Sequence, residues 1–195
     1  MLKNRKYAII YKEKVGSSND YLKELLAQDF SSQNEIFLIA KEQTKGRGQF
    51  ARKWLSEADK GLYLSYLFYP GLELLPYINH WVAAVLVNLL AEYGINGYIK
   101  LPNDIYVADR KIAGILTESV IAGEKVKGVI IGIGLNLYYE RGDFKDIKGT
   151  SMFIESKKLI NKKKLEQQII NKLIELKSKT IEEIEIEFKK HKIIT

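Results

Sequence analysis

The chain contains no cysteine, three prolines, two histidines and two tryptophans. Without cysteine there is neither a disulfide framework nor a thiolate metal site, so the fold must be held by its own buried surface. A chain of 195 residues is long enough for that, since it can hide roughly 70% of the surface its unfolded form exposes. No uninterrupted apolar run reaches the ~18 residues of a membrane helix. The N-terminal MLKNRKYAIIYKEK has no apolar centre of the signal-peptide kind. These absences lead to the expectation of a cytoplasmic protein with no membrane partner. His80 and His191 stand apart from any nucleophile or ligand-spaced cluster, which argues against Ser-His-Asp catalysis and a zinc site. There is no GxxxxGK[ST] phosphate loop. Gly132-Ile133-Gly134 lacks the third glycine of a dinucleotide fingerprint, because Leu137 holds that position.

Basic residues outnumber acidic ones, for a net charge of +7. The late lysines Lys157, Lys158, Lys162, Lys163 and Lys164 form one cluster, but glutamates interleave with lysines from Glu166 to Glu187. That mixture favours solvated helix faces over a nucleic-acid patch, and no DNA partner is expected.

What is present is a dense set of apolar segments. Strands are expected at Tyr7–Tyr11, Ile36–Ala40 and Gly61–Tyr69, and then at Tyr98–Leu101, Ile105–Val107, Lys111–Val120 and Lys125–Leu137. The last four are separated by Pro102-Asn103-Asp104, Asp109-Arg110 and Ala122-Gly123-Glu124, which read as turns. Helices are expected after Ser17-Ser18-Asn19, over Pro76–Tyr93 ahead of Gly94, and as one long helix or two over Asn161–Lys190. A meander with segregated helices predicts an α+β fold. Its centre is a mixed, largely antiparallel sheet with helices packed on one side, forming one domain over 1–195.

Four segments are more polar or glycine-rich than these elements need. Ser17-Ser18-Asn19 can cap a helix or read a neutral polar ligand. Gly46–Trp54 places Arg47, Arg52 and Lys53 among glycines and ends on an indole. Such a loop can cradle an anion beside a planar ring, or it can be a wet basic hairpin. Lys100–Asp104 and Lys111–Ile115 put lysines near a carboxylate and small residues, one way to hold nucleotide phosphate and Mg²⁺. Gly132–Asn136 completes the set. The inventory lacks an acid–base dyad but is rich in cations. It suits joining two anions, whose unit charges ~4 Å apart repel by ~4 kcal/mol at an effective dielectric near 20.

In order and spacing these segments resemble the biotin protein ligase family over roughly residues 5–155, with a helical segment following at about 161–190. The family pattern is a Ser/Thr-rich triplet, a Gly-Arg-Gly-Arg loop ending in Trp, Lys-Trp-Pro-Asn-Asp, Lys-(Leu/Ile)-Ala-Gly-Ile and Gly-x-Gly-x-Asn. The resemblance implies a class II aminoacyl-tRNA synthetase-like catalytic domain that attaches biotin to a lysine of a biotin carboxyl carrier protein. It does so through biotinyl-5′-AMP, using ATP and Mg²⁺. By the same resemblance Ser17, Ser18, Asn19, Gln43, Gly46, Gly114 and Gly132 belong to the biotin side. Arg47 and Lys111 hold the biotin carboxylate and the α-phosphate. Gln49, Arg52, Trp54 and Asn103 face the nucleotide, with Trp54 on the adenine. Asp104 and Asn136 lie on the metal side.

Three features depart from the pattern. Gln49 replaces the second arginine of the loop and Ala51 a later glycine, Leu101 replaces the tryptophan, and neither a helix-turn-helix nor a C-terminal SH3-like barrel is recognisable. Loss of the Gln49 charge predicts weaker retention of the acyl-adenylate. Alternatives of other kinds are a lipoate- or octanoate-attaching enzyme of the same fold, a non-catalytic biotin-binding module and a nucleic-acid binder. The oligomeric state, monomer or homodimer, is open.

Overall fold

The computed structural model describes residues 7–28, 34–122, 125–145 and 147–194. Its strands are β1 (Tyr7–Val15), β2 (Glu35–Gln43), β3 (Gly61–Phe68), β4 (Tyr98–Lys100), β5 (Asp104–Val107), β6 (Arg110–Ala122), β7 (Lys125–Asn136) and β8 (Ile193–Ile194). The helices are α1 (Ser18–Ala27), α2 (Ile78–Glu92), α3 (Met152–Ser156), α4 (Lys162–Glu175) and α5 (Ile181–Lys189). The eight strands among the described residues form one sheet in the order β1-β2-β3-β7-β6-β5-β4-β8. The outer pairs β1–β2 and β4–β8 are parallel and the rest antiparallel. The expected turn at 122–124 falls partly on residues 123 and 124, outside the described set.

β2 and β3 are apolar without alternation because both faces of the sheet are covered. Phe37, Ile39, Leu62, Leu64, Tyr66, Val129, Ile131, Ile133 and Leu135 point to the large core beneath α2, α4 and α5. Ile36, Leu38, Ala40, Tyr63, Leu67 and Ile130 point the other way, toward Leu22 of α1. The helices therefore pack chiefly on one side, as expected, while α1 lies alone on the opposite face. α2 is the central core helix. The helical stretch Leu72–Glu92 has the length and apolarity of a membrane span, yet 56% of its most apolar window is buried inside the fold.

The apolar stripe over 161–190 belongs to two helices. Thr180, between them, caps α5. Its Oγ1 accepts from the Glu183 backbone N–H at 3.2 Å, and the Glu183 carboxylate accepts from the Thr180 N–H at 2.8 Å. This reciprocal pair satisfies two otherwise orphaned donors and starts a new helix. α5 is tied to α2 by the His80–Glu185 contact at 2.6 Å. Beyond it the chain returns to the sheet as β8.

Leu86 of α2 is fully buried. Leu86→Ala should lower the unfolding free energy by about 2–5 kcal/mol. Urea denaturation should show this as an earlier midpoint at unchanged slope.

Candidate active site

On the α1 side, β6 and β7 give up their side chains. Gly114, Gly132 and Gly134 follow the period-two register that brings alternate residues to this face, and they floor a cleft of about 430 Å³. A Cβ on Gly132 would lie 2.5 Å from Asn19 Oδ1, and one on Gly134 would collide with the Trp54 indole. The Trp54 ring thus rests on bare backbone. The Lys111 ammonium lies 5.1 Å from its centroid, a cation–π distance.

One end of the cleft is a neutral polar nest. Gln43 Oε1 accepts from the Ser18 backbone N–H at 2.7 Å and lies 2.9 Å from Ser18 Oγ, and Gln43 Nε2 donates to Ser56 Oγ at 2.9 Å. Ser65 Oγ lies 2.6 Å from Asn19 Oδ1 and 2.7 Å from Ser18 Oγ. Asn19 Oδ1 can only accept, so the single Ser65 proton goes there, and Ser18 Oγ donates to Ser65 or Gln43. Ser17 is the cap of α1, accepting from the Asp20 N–H at 3.4 Å.

The other end is cationic. Arg52, Lys53, Lys100 and Lys111 line it together with Gln49 and Asp104. Lys111 Nζ pairs with the buried Asp104 Oδ1 at 2.6 Å. Phe50 sits at the rim, 85% exposed, with φ 55°.

The expected residues other than Gly46 all line this cleft, and four of the expected set make contacts that the sequence did not indicate. Gly46 packs behind the cleft against Ser56 and the Trp54 carbonyl. Asn103 Nδ2 donates to the Ile115 carbonyl at 2.7 Å and pins the turn to β6. Asn136 Nδ2 donates to the Thr150 carbonyl at 2.9 Å, so its amide N–H₂ holds the fold. The Arg47 guanidinium binds Asp20 and Glu118: Nε donates to Asp20 Oδ2 at 3.1 Å, and Nη2 reaches Asp20 Oδ1 and both Glu118 oxygens, the latter at 3.3 Å.

Asp20, Ser56, Ser65 and Glu118 were not anticipated from the sequence. Ser65 interrupts an apolar strand, and Glu118 lies at even spacing from Gly114, so both carry a signal of facing the cleft. Burial pushes the Glu118 carboxyl up, but hydrogen bonds from Lys23 and Asn19, with the Lys23 and Arg47 charges, outweigh it and hold the pKa below its ordinary value. The Asp20 hydrogen bond, against burial, holds Arg47 protonated more firmly than usual.

Residues 12–136 match the model of the biotin/lipoate A/B protein ligase family. A bifunctional ligase/repressor BirA of Bacillus spizizenii is 34% identical over 141 residues, covering 71% of this chain and 43% of that protein. The chain therefore spans less than half the length of this curated relative. Among solved structures, biotin protein ligase from Aquifex aeolicus in complex with biotin and ATP is 29% identical. It superposes with a TM-score of 0.70 over 89% of this chain and 73% of that one. Biotin protein ligase from Leishmania major in complex with biotinyl-5-AMP is 27% identical, with a TM-score of 0.73 over 94% and 81%. The chain belongs to the biotin/lipoate A/B protein ligase family, and its mixed, largely antiparallel sheet with helices matches biotin protein ligase catalytic-domain structures.

Two outcomes follow from this geometry. In a Trp81→Phe background, Gly134→Ala should displace Trp54 and shift its fluorescence. Unchanged emission would show that the ring does not rest on β7. Because the folded-state pKa of Glu118 is depressed, its ionisation stabilises the fold above the unfolded carboxylate pKa, and that contribution is lost as pH falls through the folded value. Glu118→Gln should lower the melting temperature at pH 7, and the two proteins should converge as the pH falls below the folded-state value of Glu118.

Proposed function

We propose that this chain is a catalytic domain that attaches biotin to a lysine of a biotin carboxyl carrier domain, by way of biotinyl-5′-AMP. One observation carries the reading: a neutral donor–acceptor nest and a cationic end share one cleft, joined by a glycine floor and an indole. A ureido ring requires both donors and acceptors, which Ser18, Asn19 and Gln43 supply. A carboxylate and a triphosphate require positive charge, which Lys111, Arg52 and Lys100 supply. The cleft volume, about 430 Å³, is within the usual range for small-ligand sites of about 300–1,000 Å³.

In the first step a biotin carboxylate oxygen attacks the α-phosphorus of ATP. The new P–O bond forms as the bond to pyrophosphate breaks. In the second, the carrier lysine's uncharged amine attacks the carbonyl carbon, AMP leaves with the bonding pair, and the amide nitrogen loses a proton. Neither step needs a nucleophile from the protein. The work is to hold two anions in line and offset their repulsion. Lys111, between the Trp54 ring and Asp104, is the cation this reading assigns to the biotin carboxylate and the α-phosphate. Arg47, with its guanidinium on two carboxylates, is a weaker candidate for that contact. Asp104, which pairs with Lys111 at 2.6 Å, is the carboxylate of the cleft whose chemistry fits a ligand to Mg²⁺, which typically takes one or two carboxylates plus phosphate oxygens and waters. When bound, the ion supplies further neutralisation of phosphate charge. Asn136, its amide N–H₂ turned to Thr150, fits that role less well.

Incubation with biotin, MgATP and an acetyl-CoA carboxylase carrier domain should yield a carrier detected by streptavidin. Unlabelled carrier, with the domain shown to be a substrate of another ligase, overturns the proposal, and labelling by lipoate or octanoate instead would assign the related activity. Lys111→Ala should cut pyrophosphate release by about 10²–10³-fold. Gln49→Arg, which restores a forked cation, should slow release of biotinyl-AMP by about tenfold; an unchanged dissociation rate would show that position 49 does not hold it.

A further inference from the structure

The charged group beside the cleft, which Arg47 also lines, has a use beyond these two steps. Arg47 comes from the Gly46–Trp54 loop, Asp20 and Lys23 from α1, and Glu118 from β6. Glu118 receives Lys23 Nζ at 2.6 Å and Asn19 Nδ2 at 2.8 Å, besides the Arg47 contacts at 3.3 Å. Its side chain is only 19% exposed. Two cations and two carboxylates balance, so the guanidinium is compensated without a ligand. One carboxylate thus joins the loop to the first turns of α1 and to β6.

The Asn19 contact matters most. The two ends of a side-chain amide have nearly the same shape, so only hydrogen-bond partners decide which way it faces. Glu118 and the Leu116 carbonyl both accept, the latter at 3.2 Å. The nitrogen end of Asn19 must therefore face β6, and its oxygen must face Ser65. That orientation commits the Ser65 proton to Asn19 Oδ1 and leaves Ser65 Oγ as an acceptor toward Ser18. Ser18 Oγ then donates either to Ser65 or to Gln43. The shorter of the two contacts that set the donor–acceptor order of the nest comes from a carboxylate that does not line it.

We infer that Glu118 is a positioning residue: it sets the donor–acceptor polarity of the nest through Asn19, Ser65 and Ser18, and it tethers the Gly46–Trp54 loop through Arg47. The first half rests on the reading of the nest as the biotin end, whereas the second does not. A neutral glutamine at 118 can offer its N–H₂ as readily as its oxygen, so Asn19 keeps only the longer Leu116 contact to fix its sense. It also leaves Arg47 with Asp20 alone. An aspartate keeps the charge and the accepting character.

The test compares the parent protein with Glu118→Gln and Glu118→Asp by calorimetric titration of biotin and, separately, of ATP, well below each melting midpoint. Hydrogen exchange of the ligand-free proteins is followed in parallel. The expected result is a Kd for biotin raised about tenfold in Glu118→Gln, as for the loss of one well-made hydrogen bond to a charged group. The Kd for ATP should stay within about twofold, and Glu118→Asp should recover most of the biotin affinity. Amides of residues 46–54 should exchange faster in Glu118→Gln than in the parent, without ligand. Equal loss for biotin and ATP, or no rescue by aspartate, overturns the polarity role. Unchanged exchange in the loop overturns the tether. A parent protein that binds no biotin refutes the proposed function, yet the exchange comparison still decides the tether.

Discussion

A sheet covered on both faces has no room for a ligand unless some of its residues give up their side chains. That constraint governs this protein. β7 is packed on one face by Ile131, Ile133 and Leu135, while the alternate positions Gly132 and Gly134 are bare. The same strand is thus core on one side and cleft floor on the other, and Trp54 can lie flat on its backbone. The rigidity of the core side is what makes the bare side a defined surface. The residues around the cleft then inherit fixed positions from strands that cannot shift without disturbing the core.

The electrostatics follow from the same economy. A half-buried cation is costly when alone. Arg47 is compensated by Asp20 and Glu118, and Lys111 by Asp104, before anything binds. Ligand anions meet a site whose charges are already partnered. Specificity comes as much from which partners can be exchanged as from how many cations are present. Lys111 has one carboxylate contact, whereas Arg47 has a two-pronged hold on Asp20 and a second acid behind it.

Much of this was legible in the sequence because local rules and global fold agree. Apolar runs without alternation meant strands buried twice, and small polar residues before an amphipathic run meant a capped helix, with Ser17 as the cap. The glycine-bearing segments converged on one cleft because each ends or crosses a strand on the same face. What was not legible depends on distance along the chain. Arg47 meets partners 27 and 71 residues away, and nothing near it in sequence indicates them. Asn103 and Asn136 have side chains that suit a ligand as well as a carbonyl, and only the packing of Ile115 and Thr150 decides. The apolar period over 161–190 left one helix or two open, and Thr-Ile-Glu-Glu at 180–183, a capping box, decides for two.

The central pairing has a consequence for folding. β7 lies between β3 and β6, so Gly61 is registered with Asn136 and Leu116 with Gly132. The cleft therefore joins a local hairpin to a strand far away in the chain, and its nest exists only once that slower, long-range β3–β7 pairing has closed. A partly folded chain, with the β6–β7 hairpin formed but β3 unpaired, would have the glycines and no nest, because Ser65 comes from β3. Ligand recognition is in this way confined to the completed sheet. Whatever occupies the cleft shifts the equilibrium of the whole cooperative unit toward the native state by mass action, instead of steadying one loop.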